Sequence, residues 1–293
     1  MARCSKALGI FLSYSILTIM AILFLIPVLV TLTNSLMSSF EIINRYTFDI
    51  TPSNGFRAAG FIHYVEISLI PEFVTFKQYL KLLFDSPFYI GLFWNSVIIT
   101  VPIVAGQLLI SVPAAYAFEL SKFKYKEAIF FIYIVVMMMP LQVVLVPNFL
   151  TAEFLRINGT SFSIILPGLL NPFGVFLIRQ SLKGLPREYI EAARVDGAGN
   201  LTIIISIIRP MITSAAAALV VLTFVEYWNV VDQAVVFIKD IAAEPLSVYL
   251  SRLGNENIDM IFAASCFYMF PPLLIFLFGH DNMVEGIQLS GIK

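Results

Sequence analysis

Long apolar runs separated by short polar segments dominate the chain. Six stretches are apolar over the roughly 20 residues that a helix needs to cross a bilayer: Ala7–Leu32, Phe88–Val112, Ala128–Leu150, Ser161–Arg179, Met211–Ile238 and Ile261–Phe278. We therefore predict an all-α integral membrane protein with six transmembrane helices. The first run follows Arg3 and Lys6, as a signal peptide would, but it is too long and lacks a cleavage site, so we expect it to be retained.

Basic residues are unevenly distributed among the polar segments between these runs. One side of the membrane would hold Arg3, Lys6, Lys122, Lys124, Lys126, Lys183, Arg187, Arg194, Arg209 and Lys293, whereas the short loops of the other side would hold only Arg156, Lys239 and Arg252. Since cytoplasmic loops carry the excess of Lys and Arg, both termini are predicted to be cytoplasmic. The predicted organisation is an N-terminal transmembrane helix at 1–36, an extracytoplasmic insert at 37–87, a transmembrane core at 88–280 and a cytoplasmic tail at 281–293.

Composition supports a membrane protein and excludes other classes. Of the 293 residues 59% are hydrophobic and only 13% are charged, about half the charged fraction of soluble domains. A cytosolic enzyme and a secreted disulfide scaffold are therefore excluded, and a net charge of −1 gives no reason to expect nucleic acid. The two cysteines and two histidines are too few and too widely spaced to indicate a metal centre.

The polar segment at 183–210 carries the signals of a short helix outside the membrane. Pro186 is suited to the first helical position, and acidic residues including Glu191 follow where the positive end of the helix dipole favours them. Gly197 follows Asp196 and provides a natural stop, since glycine adopts the left-handed cap conformation without strain. We predict a helix of about three turns between Pro186 and Gly197.

The middle of this helix is suited to contact with another protein. Ala192 and Ala193 would leave a low surface, and Tyr189 and Ile190 offer apolar groups to bury. An amphipathic helix lying on the bilayer would usually present bulkier apolar residues and more lysines. These residues alone leave both a docking helix and a membrane-surface helix open.

The spacing Glu191-Ala192-Ala193-x-x-x-Gly197, followed by Ile207 and Pro210, resembles the EAA signature of permease subunits in binding-protein-dependent ABC importers. Other motifs resemble the carbohydrate branch, the maltose-transporter-type permeases: Asn95-Ser96, Ala114–Phe118, Met139-Pro140, Pro172-Phe173-Gly174, Trp228-Asn229 and Val284-Glu285-Gly286. The resemblance covers about residues 75–293 and implies the type I ABC importer permease fold, with 183–210 as the cytoplasmic coupling segment. The chain departs from the usual pattern at Arg209, Val230 and His280-Asp281, so individual sugar contacts are not carried over.

The resemblance also implies the partners. They are a second permease subunit, usually forming a heterodimer, two cytoplasmic ATP-binding subunits, an extracytoplasmic solute-binding protein and a sugar or oligosaccharide substrate. The residues that it assigns to ATPase coupling are Pro186, Tyr189, Ile190, Glu191, Ala192, Ala193, Arg194, Asp196 and Gly197. The chain has no Gly-Lys pair and hence no Walker A loop, so we expect no cofactor in this chain and ATP and Mg²⁺ in the partner ATPases.

Two carboxylates, Glu226 and Asp232, lie within the fifth apolar run. Ionisable groups are costly in lipid and usually face a cavity or a partner. In a continuous helix Glu226, Asn229 and Gln233 share one face, and Asp232 is turned away from Glu226. With Tyr227, these residues are candidates for lining a translocation pathway, because such groups hold sugars by hydrogen bonding to hydroxyls and by stacking. A polar clamp to the partner permease is the alternative.

Two further segments are assigned from the resemblance. The loop Lys239–Asp259 is expected to reach the binding protein, with a plain connector as the alternative. The tail Asn282–Lys293 is expected to reach between the ATPases, with packing on its own bundle as the alternative.

Two other functions, a secondary transporter and a membrane-embedded enzyme, fit the sequence less well. A secondary transporter that couples protons through Glu226 would usually show repeated or discontinuous helices, and the chain has no convincing internal repeat. A membrane-embedded enzyme is less well supported, because no catalytic cluster converges in the apolar runs.

Overall fold

The computed structural model describes residues 2–46, 69–85, 87–252 and 258–291, and within these ranges the regular secondary structure is helical. The helices are α1 (Ala2–Asn34), α2 (Ser39–Tyr46), α3 (Lys77–Leu80), α4 (Pro87–Leu120), α5 (Lys126–Met137), α6 (Leu141–Phe154), α7 (Phe162–Leu169), α8 (Pro172–Lys183), α9 (Glu188–Val195), α10 (Asn200–Ile203), α11 (Arg209–Met211), α12 (Thr213–Trp228), α13 (Asp232–Phe237), α14 (Leu246–Arg252) and α15 (Ile258–Gly291). Of the predicted insert, residues 47–68 and 86 lie outside the described residues, as do 253–257 of the loop after α14 and 292–293 of the tail.

Four helical stretches in the described part are long and apolar enough to cross a membrane: Gly9–Asn34, Pro87–Leu120, Phe162–Lys183 and Met260–His280. Two further pairs of consecutive helices pass the same test only when taken together. Helices α5 and α6 are bent by 102° relative to each other. The helical stretch Asn200–Met211, in which a π-helical turn at Ile204–Ile208 joins α10 to α11, is bent by 80° relative to α12. If each bent pair is one span, the number of spans is six, as predicted. The predicted all-α architecture is confirmed.

The third predicted span is broken rather than continuous. Pro140 sits in the extended conformation, with ψ 145°, immediately before α6. Proline lacks the N–H that a continuing helix needs, and it disfavours the helical conformation in the residue before it. The apolar run Ala128–Leu150 therefore forms two helices, α5 and α6, with a break at Pro140.

The fifth and sixth predicted spans also have different ends. Helix α12 ends at Trp228, and three residues separate it from α13, so Met211–Ile238 is not one helix. Helix α15 continues to Gly291, and the segment predicted to leave the sixth helix after Phe278 extends it instead.

The chain forms two compact units, of which the first comprises Met1–Ile90 and Arg252–Met269. Within it the hydroxyl of Tyr89 donates to the carbonyl of Ala264 (2.9 Å), and that of Tyr79 donates to Ser35 Oγ (2.7 Å). Burial raises the pKa of Tyr79 to about 12, so this hydroxyl remains protonated at neutral pH and can donate. These bonds join segments that are far apart in the sequence.

The second unit comprises Gly91–Ser251 and Phe270–Lys293 and contains two hydrophobic clusters. The first cluster includes Ala115, Tyr116, Val175, Ile178, Leu182, Ile190, Ala215 and Leu219. The second cluster includes Ile99, Ile103, Ile164, Tyr227, Val230, Phe237 and Val248. Helix α4 contributes to both clusters, which bury its side chains at positions well separated along its length.

Candidate coupling helix and translocation cavity

Helix α9, which carries the EAA motif, spans Glu188–Val195. Glu188 and Glu191 lie in its first turn and Arg194 in its last, which matches the direction of the helix dipole. Gly197 has φ +83°, the left-handed conformation predicted at this stop. The helix is shorter than predicted, and Pro186 lies two residues before its first residue rather than at that position.

One side of α9 is anchored and the other is open. Ile190 is only 4% exposed and belongs to the first cluster, against which Ala193 also packs. Tyr189 and Val195 are 60% and 87% exposed, and Glu191 is exposed beside them. The remaining predicted coupling residues are also exposed: Pro186, Ala192, Arg194, Asp196 and Gly197. The helix therefore presents a surface with both apolar and charged groups to its surroundings.

Residues near the end of α4 hydrogen-bond to α9 and to the residues on either side of it. Glu119 accepts a hydrogen bond from Arg187 (3.4 Å), immediately before α9. Tyr116 Oη accepts from Arg194 (3.3 Å) in the last turn of α9 and donates to Asn200 Oδ1 (2.9 Å) beyond it. The orientation of α9 is therefore fixed relative to α4.

Arg179 on α8 is the centre of a buried charged cluster. It is 2% exposed, and its guanidinium donates to Glu119 Oε2 (3.1 Å) and to Glu127 Oε1 (2.8 Å). The same group lies 3.8 Å from the centre of the Phe130 ring. Paired carboxylates and an aromatic face offset the cost of burying the charge. The cluster joins the adjacent ends of α4, α5 and α8.

A cavity of about 210 Å³ opens where α12 ends. Its described lining residues are Leu141, Glu226, Tyr227, Asn229, Val230, Val231, Asp232 and Gln233. All five predicted pathway residues are among them. The lining offers two carboxylates, two amides and one phenol, and none of these lining residues is Lys, Arg or His. Such groups can accept hydrogen bonds from the hydroxyls of a polar solute and can donate hydrogen bonds to it.

A helix break, and not a shared helix face, brings these residues together. Asn229 lies beyond the end of α12 and donates to the carbonyl of Val225 (2.8 Å). The buried Ser247 hydroxyl donates to the carbonyl of Val230 (2.6 Å), which satisfies a group that the break releases. Because the chain changes direction here, Asp232 lines the same cavity as Glu226. The prediction that Asp232 is turned away from Glu226 is wrong.

A family model described as "Binding-protein-dependent transport system inner membrane component" matches residues 107–282. The match covers more than half of the chain and includes α9 and every described lining residue of the cavity. The chain belongs to this family. It is therefore an integral inner membrane permease subunit of an ABC importer and is not itself an enzyme. The resemblance found in the sequence is confirmed.

The permease is similar to subunits of known sugar importers. It is 28% identical over 263 residues to the arabinooligosaccharides transport system permease protein AraQ of Bacillus subtilis (strain 168), with 88% of this chain and 92% of the relative covered. A bacterial ABC transporter involved in the import of the acidic polysaccharide alginate has a similar structure, with a TM-score of 0.78, 21% identity and 96% and 98% of the two chains covered. A second structure is a bacterial alginate ABC transporter in complex with an alginate pentasaccharide-bound periplasmic protein, with a TM-score of 0.55, 18% identity and 74% and 84% covered. Both structures confirm the permease fold.

Several residues of the permease that hold α9 were not predicted as site residues. They are Tyr116 and Glu119 on α4, with their partners Arg179 and Asn200, and Leu141, Val230 and Val231 are likewise unpredicted members of the cavity lining. Arg179 gives a partial signal, since it is a charged residue at the end of an apolar run. Its partner Glu119 is 60 positions away in the sequence, a pairing that no local pattern indicates.

Proposed function

We propose that this permease forms one half of a pathway that carries a neutral sugar or oligosaccharide into the cell. The observation that carries the proposal is the cavity at the end of α12, whose hydrogen-bonding lining lies within the region that matches the family. The name of the arabinooligosaccharide relative supports a sugar as the substrate.

The proposed partners follow from the family to which the chain belongs. A second permease subunit, most simply a different chain, would complete the pathway. Two cytoplasmic subunits would bind ATP and Mg²⁺, and an extracytoplasmic binding protein would deliver the sugar, as the periplasmic protein in the alginate complex suggests. The excess of Lys and Arg in the segments on one side of the membrane supports a cytoplasmic position for both termini and α9. The tail at 281–293 would reach the ATPase subunits.

Helix α9 is proposed to dock onto one ATPase subunit. Its exposed Tyr189 and Glu191 offer an apolar ring and a charge, while the buried Ile190 holds the helix to its own chain. An anchored helix can transmit the movement of the ATPase, whereas a loosely attached one would only follow it. ATP would favour the outward-facing state and hydrolysis the inward-facing state, because the nucleotide binds the two states with different affinity.

The cavity is proposed to hold the sugar during its passage. Asn229 and Gln233 provide amide donors and acceptors, and Glu226 and Asp232 provide acceptors for hydroxyl groups. Two carboxylates repel an anionic solute, and none of the described lining residues is a cation that would compensate. We therefore expect a neutral substrate, in contrast to the acidic polysaccharide alginate that the structural relative imports.

The double variant Glu226→Gln with Asp232→Asn tests this site in the complete complex reconstituted in proteoliposomes. Uptake is measured with three radiolabelled neutral sugars, arabinotriose, lactose and maltose. For the sugar that the wild type transports, uptake should fall about tenfold, which corresponds to the loss of roughly one strong hydrogen bond. The variant Glu153→Gln changes an exposed carboxylate outside the cavity and should transport normally. Unchanged uptake by the double variant, or equal uptake of a uronate trisaccharide by the wild type, would contradict the proposed role of the cavity.

A further inference from the structure

Helix α4 is hydrogen-bonded near one end to the segment that follows α13. Asn95 Nδ2 donates to the carbonyls of Ala242 (2.7 Å) and Glu244 (3.0 Å). The backbone N–H of Leu246 donates to Ser96 Oγ (2.9 Å), and the Ser96 side chain is buried. These three bonds hold the segment 242–246 beside α4.

The same segment contacts the wall of the cavity. Ser247, the second residue of α14, donates to the carbonyl of Val230, which is a lining residue. The segment 242–247 therefore contacts both α4 and the cavity wall. This part of the chain belongs to the loop that would face the binding protein.

The other end of α4 holds the coupling helix α9. Tyr116 and Glu119 contact Arg187, Arg194 and Asn200, on both sides of α9 and within it. Asn95 and Tyr116 are 21 residues apart, which corresponds to about 30 Å along a helix. Helix α4 thus contacts both the segment 242–247, which is expected to face the binding protein, and α9, which is proposed to dock onto an ATPase subunit.

Because α4 is closely packed along its length, moving one end without the other would cost packing energy. Ile99 and Ile103 are fully buried in the second cluster, and Ala115 is fully buried in the first. Between them Gln107, which is 1% exposed, accepts a hydrogen bond from Thr223 (2.5 Å) and donates to the carbonyl of Asn171 (3.4 Å). Close-packed side chains transmit a displacement instead of absorbing it.

We propose that α4 couples the binding-protein side of the permease to the ATPase side, with Asn95 and Tyr116 as the positioning residues at its two ends. The proposal rests on the proposed function, since it needs a binding protein at one end and an ATPase at the other. Docking of the loaded binding protein shifts 242–247, α4 moves with this segment, and Tyr116 and Glu119 reorient α9 on the ATPase.

A double-mutant cycle tests the coupling. The complete complex is reconstituted, and its ATPase activity is measured with and without the binding protein loaded from the panel of arabinotriose, lactose and maltose. Asn95→Ala and Tyr116→Phe should each lower the stimulation about threefold, with the activity that needs no binding protein retained. Distant and independent sites have additive effects, so two independent defects would multiply to about ninefold. If α4 is the shared element, the double variant should remain near threefold.

Control variants separate positioning from general damage. Asn158→Ala removes a side-chain bond to Glu153 that does not involve α4, and Tyr125→Phe removes an exposed hydroxyl; both should behave as the wild type. If the Asn95→Ala complex does not assemble, Asn95→Asp keeps the shape of the side chain and removes only its N–H donors. Multiplicative effects in the double variant, or full stimulation in either single variant, would overturn the proposal. A wild-type complex that no loaded binding protein stimulates would contradict the proposed function instead.

Discussion

A permease carrying Glu191→Lys should insert into the membrane normally and lose nearly all sugar uptake. Glu191 lies exposed in the first turn of α9, so its replacement disturbs no buried contact in the permease itself. The new charge is opposite in sign on the proposed docking surface, and it is also unfavourable at the positive end of the helix dipole. Uptake and binding-protein-stimulated ATPase activity of the reconstituted complex measure the effect. Normal values for both would exclude α9 as the docking element.

Gly197→Val tests the same helix through its backbone. A Cβ at Gly197 would meet no atom within 4 Å, but the residue has φ +83°, a conformation that a β-branched residue strongly resists. The chain beyond α9 must then shift, and uptake should fall at least about tenfold. Gly199 is a matched control, since it also has open space for a Cβ but adopts φ −72°. Gly199→Val should therefore transport well, and equal losses in the two variants would show that the left-handed cap is not the cause.

Replacing Arg179 by Met should cause the largest loss of stability. The substitution removes the cation between two carboxylates and leaves Glu119, whose side chain is 11% exposed, with only the more distant Arg187. Breaking a buried ion pair on one side costs about 3 kcal/mol or more. The thermal unfolding midpoint of the detergent-solubilised complex should fall by several degrees, and less of the complex should accumulate in the membrane.

Arg187→Met provides the comparison for that measurement. Arg187 contacts the same carboxylate, but its side chain is 66% exposed, and exposed ion pairs contribute at most about 1 kcal/mol. Its unfolding midpoint should stay near that of the wild type. If the two variants are equally stable, burial of Arg179 does not determine the strength of this cluster.

The apolar runs predicted the number of spans because hydrophobic length is a local property of the chain. The same is true of the stop at Gly197, which follows from the conformations available to glycine. The break after Trp228 was not predictable from Glu226, Asn229 and Gln233, since the residue that satisfies the released carbonyl of Val230 is Ser247. Whether a helix continues or breaks depends here on a partner from another element.

The charged cluster around Arg179 is a second feature that no local sequence pattern predicts. Arg179 and Glu119 are each visible in the sequence, but only the crossing of α8 with α4 brings them to 3.1 Å. An arginine at the end of an apolar run is equally compatible with an exposed position at the membrane surface. The pairing is a consequence of tertiary packing, and the same Glu119 carboxylate also accepts a hydrogen bond from Arg187, just before α9.

Uptake into proteoliposomes under two energy sources distinguishes an ABC importer from a secondary transporter. The complete complex is reconstituted with ATP and Mg²⁺ on the side of the ATPase subunits, and the binding protein with the radiolabelled neutral panel is added on the other. For an ABC importer, accumulation of the sugar should require both ATP and the binding protein, and it should be unaffected when an ionophore removes the proton gradient. Accumulation that follows the proton gradient, persists without ATP and the binding protein, and disappears in Glu226→Gln would contradict it and would identify a secondary transporter.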